Sequence, residues 1–188
     1  FVINGIDGGD RSGRSVSSAG DINGDGFDDI LIGARLADPS GSNSGASYVV
    51  YGKNNDFDAI LDLETPNGNL IVWELHGADQ NRNAGHSVSS AGDINGDGFD
   101  DILIGAPYAD PNAVNSGESY VVFGGQHSLQ APLTLSLDGS TGFNINGIDG
   151  GDNSGFSVST AGDINGDGWV DMMTTTSGKH IDCWIMNR

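Results

Sequence analysis

Three nine-residue segments of this chain space their oxygen-bearing side chains in a way that suits a hard cation. Each reads Asp-x-Asn-x-Asp-Gly-x-x-Asp, from Asp21 to Asp29, from Asp93 to Asp101 and from Asp163 to Asp171. Side chains at positions 1, 3 and 5 of a tightly curled loop converge on one point, and Gly at position 6 permits the sharp turn. Position 7 can add its carbonyl and position 9 a further carboxylate. The candidate ligands are therefore Asp21, Asn23, Asp25, the Phe27 carbonyl and Asp29; then Asp93, Asn95, Asp97, the Phe99 carbonyl and Asp101; and Asp163, Asn165, Asp167, the Trp169 carbonyl and Asp171. One Ca²⁺ per loop, three in all, is the expected cofactor, since five or more oxygens suit a large and flexible coordination sphere better than Mg²⁺. Transition metals favour nitrogen or sulfur ligands, which the motif lacks. As plain hairpin turns, three such loops would only concentrate like charge.

An EF-hand loop begins the same way but requires a carboxylate at position 12. Here that position is Ile32, Ile104 or Thr174, within apolar runs that read as strands. The EF-hand and dockerin loops are thus disfavoured.

The loops belong to a longer repeat. Ser15 to Asp29 recurs almost unchanged from Ser87 to Asp101 and again from Ser157 to Asp171, where Thr160, Trp169 and Val170 are the substitutions. Phe1, Trp73 and Phe143 keep the same register, which gives units of about 70 residues with boundaries near 1–72, 73–142 and 143–188, the last shortened and divergent. Within a unit, Ser-Val-Ser-Ser, Asp-Ile-Leu-Ile-Gly-Ala, Ser-Tyr-Val-Val and a fourth segment such as Leu70–Gly77 read as strands. Clusters of Gly, Asn, Asp and Pro separate them, Lys53–Asn69 forming the longest loop with a turn at Pro66-Asn67-Gly68, and no segment sustains a helical period. The fold expected is a single all-β repeat domain of β-propeller blades, each of four antiparallel strands. The divergent end, through Ile181, Cys183 and Ile185, alternates as a further strand. Twelve strands result, and Phe1–Gly5 would complete the last blade. Propellers usually have about four to eight blades, so the array is either part of a longer one or is completed by a second chain in a six-bladed ring.

Composition narrows the partners. Of 188 residues, 26 are acidic and 7 are Lys or Arg, for a formal charge of −19. Such a chain repels nucleic-acid phosphates and anionic lipid headgroups. Only Glu64, Glu74 and Glu118 are Glu, so 23 acids are Asp, the short carboxylate of tight turns and hard-cation loops. No apolar stretch approaches the roughly 20 residues of a membrane helix, and Phe1–Gly5 does not read as a signal peptide. Cys183 is the single cysteine, which excludes an internal disulfide framework.

These features together resemble the FG-GAP repeat, the calcium-binding blade of integrin α-subunit propellers and of many bacterial extracellular proteins. The resemblance rests on Ser12-Gly13-Arg14-Ser15-Val16, Ala84-Gly85-His86-Ser87-Val88 and Ser154-Gly155-Phe156-Ser157-Val158, similar to that family's Phe-Gly-x-Ser-Val. It rests also on the metal loops and on Ile32-Gly33-Ala34-Arg35 and Ile104-Gly105-Ala106-Pro107, similar to its Gly-Ala-Pro. The third copy departs, reading Met172-Met173-Thr174-Thr175-Thr176-Ser177 there. The resemblance implies a loop joining the first two strands of a blade and stiffened by calcium, with the ligands named above.

Catalytic constellations are missing. There is no Gly-x-Ser-x-Gly elbow, His-Glu-x-x-His helix or P-loop. Ser17, Ser18, Ser89 and Ser90 read as strand packing, His86 as a solvated loop residue, His76, His127 and His180 as isolated, and Trp73 and Phe143 as strand aromatics. Asp28 and Asp100, at position 8, read as exposed or as lying behind the ligands, and Val170 replaces them in the third loop. The function expected is that of a non-enzymatic, secreted or cell-surface module for adhesion or protein binding, with a protein or glycan ligand reached through the variable loops Leu36–Ser44 and Tyr108–Ser116. The alternatives are a propeller fragment of a secreted hydrolase and a self-assembling structural repeat protein.

Overall fold

The computed structural model describes residues 1–64, 72–125 and 132–177, and the backbone strand at 181–184. Strands are numbered in chain order. Among the described residues there is no helix, and hence none long and apolar enough to cross a membrane.

The first blade consists of β2 (Ser15–Gly20), β3 (Asp29–Ala34), β4 (Ala46–Val50) and β6 (Val72–His76), each antiparallel to the next. The second repeats it with β7 (Ser87–Gly92), β8 (Asp101–Ala106), β9 (Glu118–Val122) and β11 (Gly142–Asn146). The third has β12 (Ser157–Gly162), β13 (Asp171–Thr175) and β14 (Ile181–Trp184). The divergent end thus forms the strand its alternation predicts, Met172 pairing with Trp184.

Two short strands were not legible in the sequence. β5 (Ile60–Asp62) lies inside what reads as the long Lys53–Asn69 loop, and β10 (Leu133–Thr134) lies in the corresponding stretch of the next repeat. β10 adds parallel to the outer edge of β6, with Leu133 opposite Leu75. β5 adds parallel to β1 (Val2–Asn4), with Leu61 opposite Ile3, the same register one repeat earlier. β1 therefore pairs with β5, not with the last blade, and the described residues hold fourteen strands rather than twelve. Two or three residues are too few to show a period. What fixes β5 is burial: Leu61 and Leu63 are each 2% exposed, in a cluster that Ile3, Ile6 and Phe57 pack against. The turn at Pro66-Asn67-Gly68 and the first two residues of the Leu70–Gly77 segment lie outside the described residues.

The middle strands are apolar on both faces because each blade is covered on both. Leu31, Val49, Trp73 and Leu75 face Ile102, Ile104, Tyr120 and Val122 across the first two blades, while Leu103 and Val121 meet Val158 and Met172 across the next two. Repeat-equivalent valines show the effect. Val88 and Val158 are 6% and 7% exposed beneath a preceding blade, and Val16 is 62% exposed. Trp73 is buried in this core, as a strand aromatic should be. Glycine sets the spacing: a Cβ on Gly33 would collide with the Gly85 carbonyl, and one on Gly105 with the Gly155 carbonyl.

Gly33→Ala is therefore expected to destabilise the chain by about 1–3 kcal/mol through overpacking. Gly8→Ala, where a Cβ meets nothing within 4 Å, should change stability by less than about 0.5 kcal/mol; urea unfolding of the two variants checks the contrast.

Candidate metal centre

Each acidic loop joins the first two strands of a blade: Asp21–Asp29 links β2 to β3, Asp93–Asp101 links β7 to β8, and Asp163–Asp171 links β12 to β13. The chain leaves the first strand through a bulge, where Ser18 pairs with Ile30 but Gly20 with Asp29. Gly20, Gly92 and Gly162 make this turn at φ of 68°, 64° and 71°, a region that favours glycine. Ser18 and Ser90 serve the bulge, their Oγ atoms accepting the N–H of Gly20 and Gly92 at 3.2 and 3.1 Å.

One hydrogen-bond frame shapes all three loops. Asp21 Oδ1 accepts the N–H of Gly24 (2.8 Å) and Asp25 (3.0 Å), and its Oδ2 accepts that of Gly26 (2.9 Å). Asp93 and Asp163 accept the same three amides at 2.7–3.0 and 2.7–3.1 Å. Asn23 Oδ1 accepts Asp25 N–H at 2.9 Å, and Asp25 Oδ1 accepts Phe27 N–H at 3.0 Å. Asn23 Nδ2 donates to Asp25 Oδ2 at 3.1 Å, a contact repeated at 2.9 Å by Asn95 with Asp97 and by Asn165 with Asp167.

Position 9 differs from the others in burial. Asp29, Asp101 and Asp171 are 1%, 0% and 0% exposed. Asp29 accepts N–H groups from Ile22 (3.1 Å) and Gly52 (2.7 Å), Asp101 from Ile94 and Gly124 (both 2.8 Å), and Asp171 from Ile164 (2.8 Å). The third strand's exit is thereby tied to the loop in the first two blades. Desolvation pushes Asp29 up to about 6 and Asp101 up to about 7; the amide bonds oppose this, and the neighbouring Asp25 and Asp21, or Asp97 and Asp93, add to it. Neither carboxylate has a cationic side-chain partner among the described residues, whose ion pairs include His76–Glu74, Arg82–Asp79 and Arg82–Glu118.

The donor set fits a hard cation: buried, uncompensated carboxylates beside further carboxylate, carboxamide and carbonyl oxygens. Among the described residues, however, no three Asp, Glu, His or Cys side chains already converge on one point. The frame explains why. The side chains of positions 1, 3 and 5 are engaged within the loop, Asp21 accepting its amides and Asn23 Nδ2 donating to Asp25 Oδ2.

Other candidates fall elsewhere. Asp28 is exposed as expected, but Asp100 is half-buried and accepts the N–H of Asp21, in the preceding loop, at 2.8 Å. Nothing in the sequence marks that contact. His86 is half-buried rather than solvated, with its ring 4.8 Å from Phe156 and 6.3 Å from Tyr108; burial first and the charge of Arg35 second hold its pKa down. His76 Nε2 pairs with Glu74 at 2.9 Å. His127 and His180 lie outside the described residues.

Successive antiparallel blades with an acidic loop at the same corner of each define the architecture of a propeller repeat. Comparison with known proteins agrees: the FG-GAP repeat model matches residues 12–50 and 84–122. Integrin alpha pat-2 of Caenorhabditis elegans is 31% identical over 166 residues, 87% of this chain and 13% of that protein. Integrin alpha-6 of Gallus gallus is 32% identical over 129 residues, covering 68% and 10%, and integrin alpha-V of Gallus gallus is 28% identical over 177 residues, covering 94% and 16%. The chain carries FG-GAP repeats and has integrin alpha chains among its homologues. It spans about an eighth of the length of the integrin chain first named.

In metal-free protein the raised folded-state values of Asp29 and Asp101 stand above the ordinary unfolded value near 3.9. Their contribution is then fully present below pH 3.9 and is lost as pH rises through about 6 and 7. Urea unfolding of chelator-stripped protein should show lower stability at pH 8 than at pH 5; equal or greater stability at pH 8 would contradict this account of the buried carboxylates.

Proposed function

We propose that the chain is an extracellular, calcium-binding β-propeller module for adhesion or protein–protein interaction, without catalytic activity of its own. The observation that carries this reading is the buried carboxylate at position 9, set in the same acidic frame in three successive repeats. Asp21, Asn23, Asp25, the Phe27 carbonyl and Asp29 hold the first ion, and their repeat equivalents hold the second and third. Bound Ca²⁺ supplies the positive charge that the loops lack. Three such ions would take the formal charge from −19 to −13, leaving the surface repellent to nucleic acid. Position 9 then keeps its charge at neutral pH and goes on accepting the amides of the loop and of the third strand's exit. An extracellular setting fits sites of this kind, whose affinities commonly fall at about 0.1–1 mM, and it accords with the homology to integrin alpha chains.

Partner contact falls to the opposite end of the blades. Leu36–Ser44 and Tyr108–Ser116 leave β3 and β8 at the ends remote from the metal loops, and they differ in sequence where the strands do not. A protein or glycan ligand suits these loops on a stiff scaffold. The exposed Val16 face, whose equivalents are buried, supports a further blade covering it, supplied by the same polypeptide or by a second copy.

Calcium at tenfold over Kd stabilises by about 1.4 kcal/mol per site, so chelation should lower the Tm by roughly 10 °C for three sites in a domain of this size. An unchanged transition in EGTA would refute structural calcium. Asp97→Ala should abolish binding at the second site and leave two sites that still bind, and calorimetry that still counts three sites would refute the assignment.

A further inference from the structure

The three loops are not isolated from one another, and the contact between the first two is of a different kind from that between the second and third. Phe99 and Asp100, which precede Asp101, reach across to the first loop. Phe99, whose carbonyl belongs to the second loop's donor set, lays its ring on the first loop: a Cβ on Gly24 would lie 2.5 Å from Phe99 Cε1. Asp100 is clamped to Asp21 through its backbone and its side chain. Its N–H donates to the Asp21 carbonyl at 3.2 Å, and its Oδ2 accepts the Asp21 N–H at 2.8 Å. Asp101 is the buried carboxylate of the second loop. The residue that holds position 1 of the first loop thus sits between two ligand residues of the second.

At the next junction the aromatic packing is kept and the clamp is not. Trp169 lies against Gly96 as Phe99 lies against Gly24, but position 8 is Val170, whose Cγ2 is 3.3 Å from a Cβ placed on Gly92. An apolar side chain cannot accept the Asp93 N–H.

We propose that Asp100 is a positioning residue that couples the first and second cation sites, while the third binds independently. The inference rests on the calcium reading above. Fixing the Phe99 carbonyl and the Asp101 carboxylate around the second ion immobilises the Asp100 peptide between them. Asp100 then holds Asp21, and with it the turn that Asp21 organises, in the arrangement the first ion needs. A site already ordered binds more tightly than one that must be ordered on binding, and by linkage the effect is reciprocal. Repulsion between the two cations opposes the coupling, and the Asp100 charge at the junction offsets it. Asp100 itself is no ligand, its Oδ2 being directed at the Asp21 amide.

The test uses calcium titrations by calorimetry on the full chain with the third site silenced by Asp167→Ala. The first two sites should then fill with a Hill slope above 1, and adding Asp97→Ala should weaken the first site about fivefold, the lower end of ordinary coupling. Asp100→Val, which installs the residue the third repeat already tolerates, should return the slope to 1 and make the first site indifferent to Asp97→Ala. Asp100→Asn, which keeps an oxygen for the Asp21 N–H, should retain most of the coupling. In the converse background, with the first site silenced by Asp25→Ala, Val170→Asp should create coupling between the second and third sites. A merely structural Asp100 would lower the Tm on replacement without moving any slope. Independent filling of the first two sites in the unmodified junction would overturn the coupling and leave the calcium reading standing; absence of calcium binding would overturn both.

Discussion

A carboxylate at the ninth position of each acidic loop is taken out of water by the fold that depends on it. Asp29 and Asp101 lie under their blades, each receiving an amide from the loop's second residue and one from the exit of the third strand. That places one side chain at the meeting of the loop, the second strand and the chain beyond the third. Two amide bonds favour the ionised form, but burial outweighs them and the neighbouring acids add repulsion. A buried charge left in this condition calls for a partner. The described residues supply no cationic side chain to either, and the oxygens nearby in the loop are of the kind that suits a hard cation.

The rest of the architecture repeats that unit and stacks it. Glycine at the second strand lets neighbouring blades approach until only a backbone carbonyl fits between them, and the large side chains of alternate strand positions fill both faces. Stacking brings one acidic loop against the next as well. The position-7 aromatic of each later loop covers the position-4 glycine of the earlier one, so the row of loops is a packed edge rather than a set of separate turns. Charge and packing are joined there, since residues of one acidic loop also touch the preceding one.

Much of this was legible in the sequence because repetition made it so. Three intact copies of Ser-Val-Ser-Ser-Ala-Gly-Asp or its Thr variant locate the inner strand, the bulge glycine and the first residue of the loop. The apolar run after Asp29 and Asp101 identifies the strand that covers them. What escaped was either too short or too indirect. β5 and β10 hold two or three residues and owe their pairing to the burial of Leu61 and to the edge of β6. The Asp100 clamp joins residues 79 positions apart, and no local pattern distinguishes it from Asp28, which stands at the same repeat position but is exposed. His86 is half-buried with Phe156, from the next repeat, and Tyr108 against its ring.

The central claim is that these loops are cation sites and not simply acidic turns. Equilibrium dialysis of the purified chain against radiolabelled calcium, at neutral pH and up to several millimolar free ion, tests it most directly. Three ions per chain are predicted, saturating on the order of 0.1–1 mM, with one lost for each loop in which the first Asp is replaced by Ala. No saturable binding, or a count unchanged by all three replacements, would contradict it.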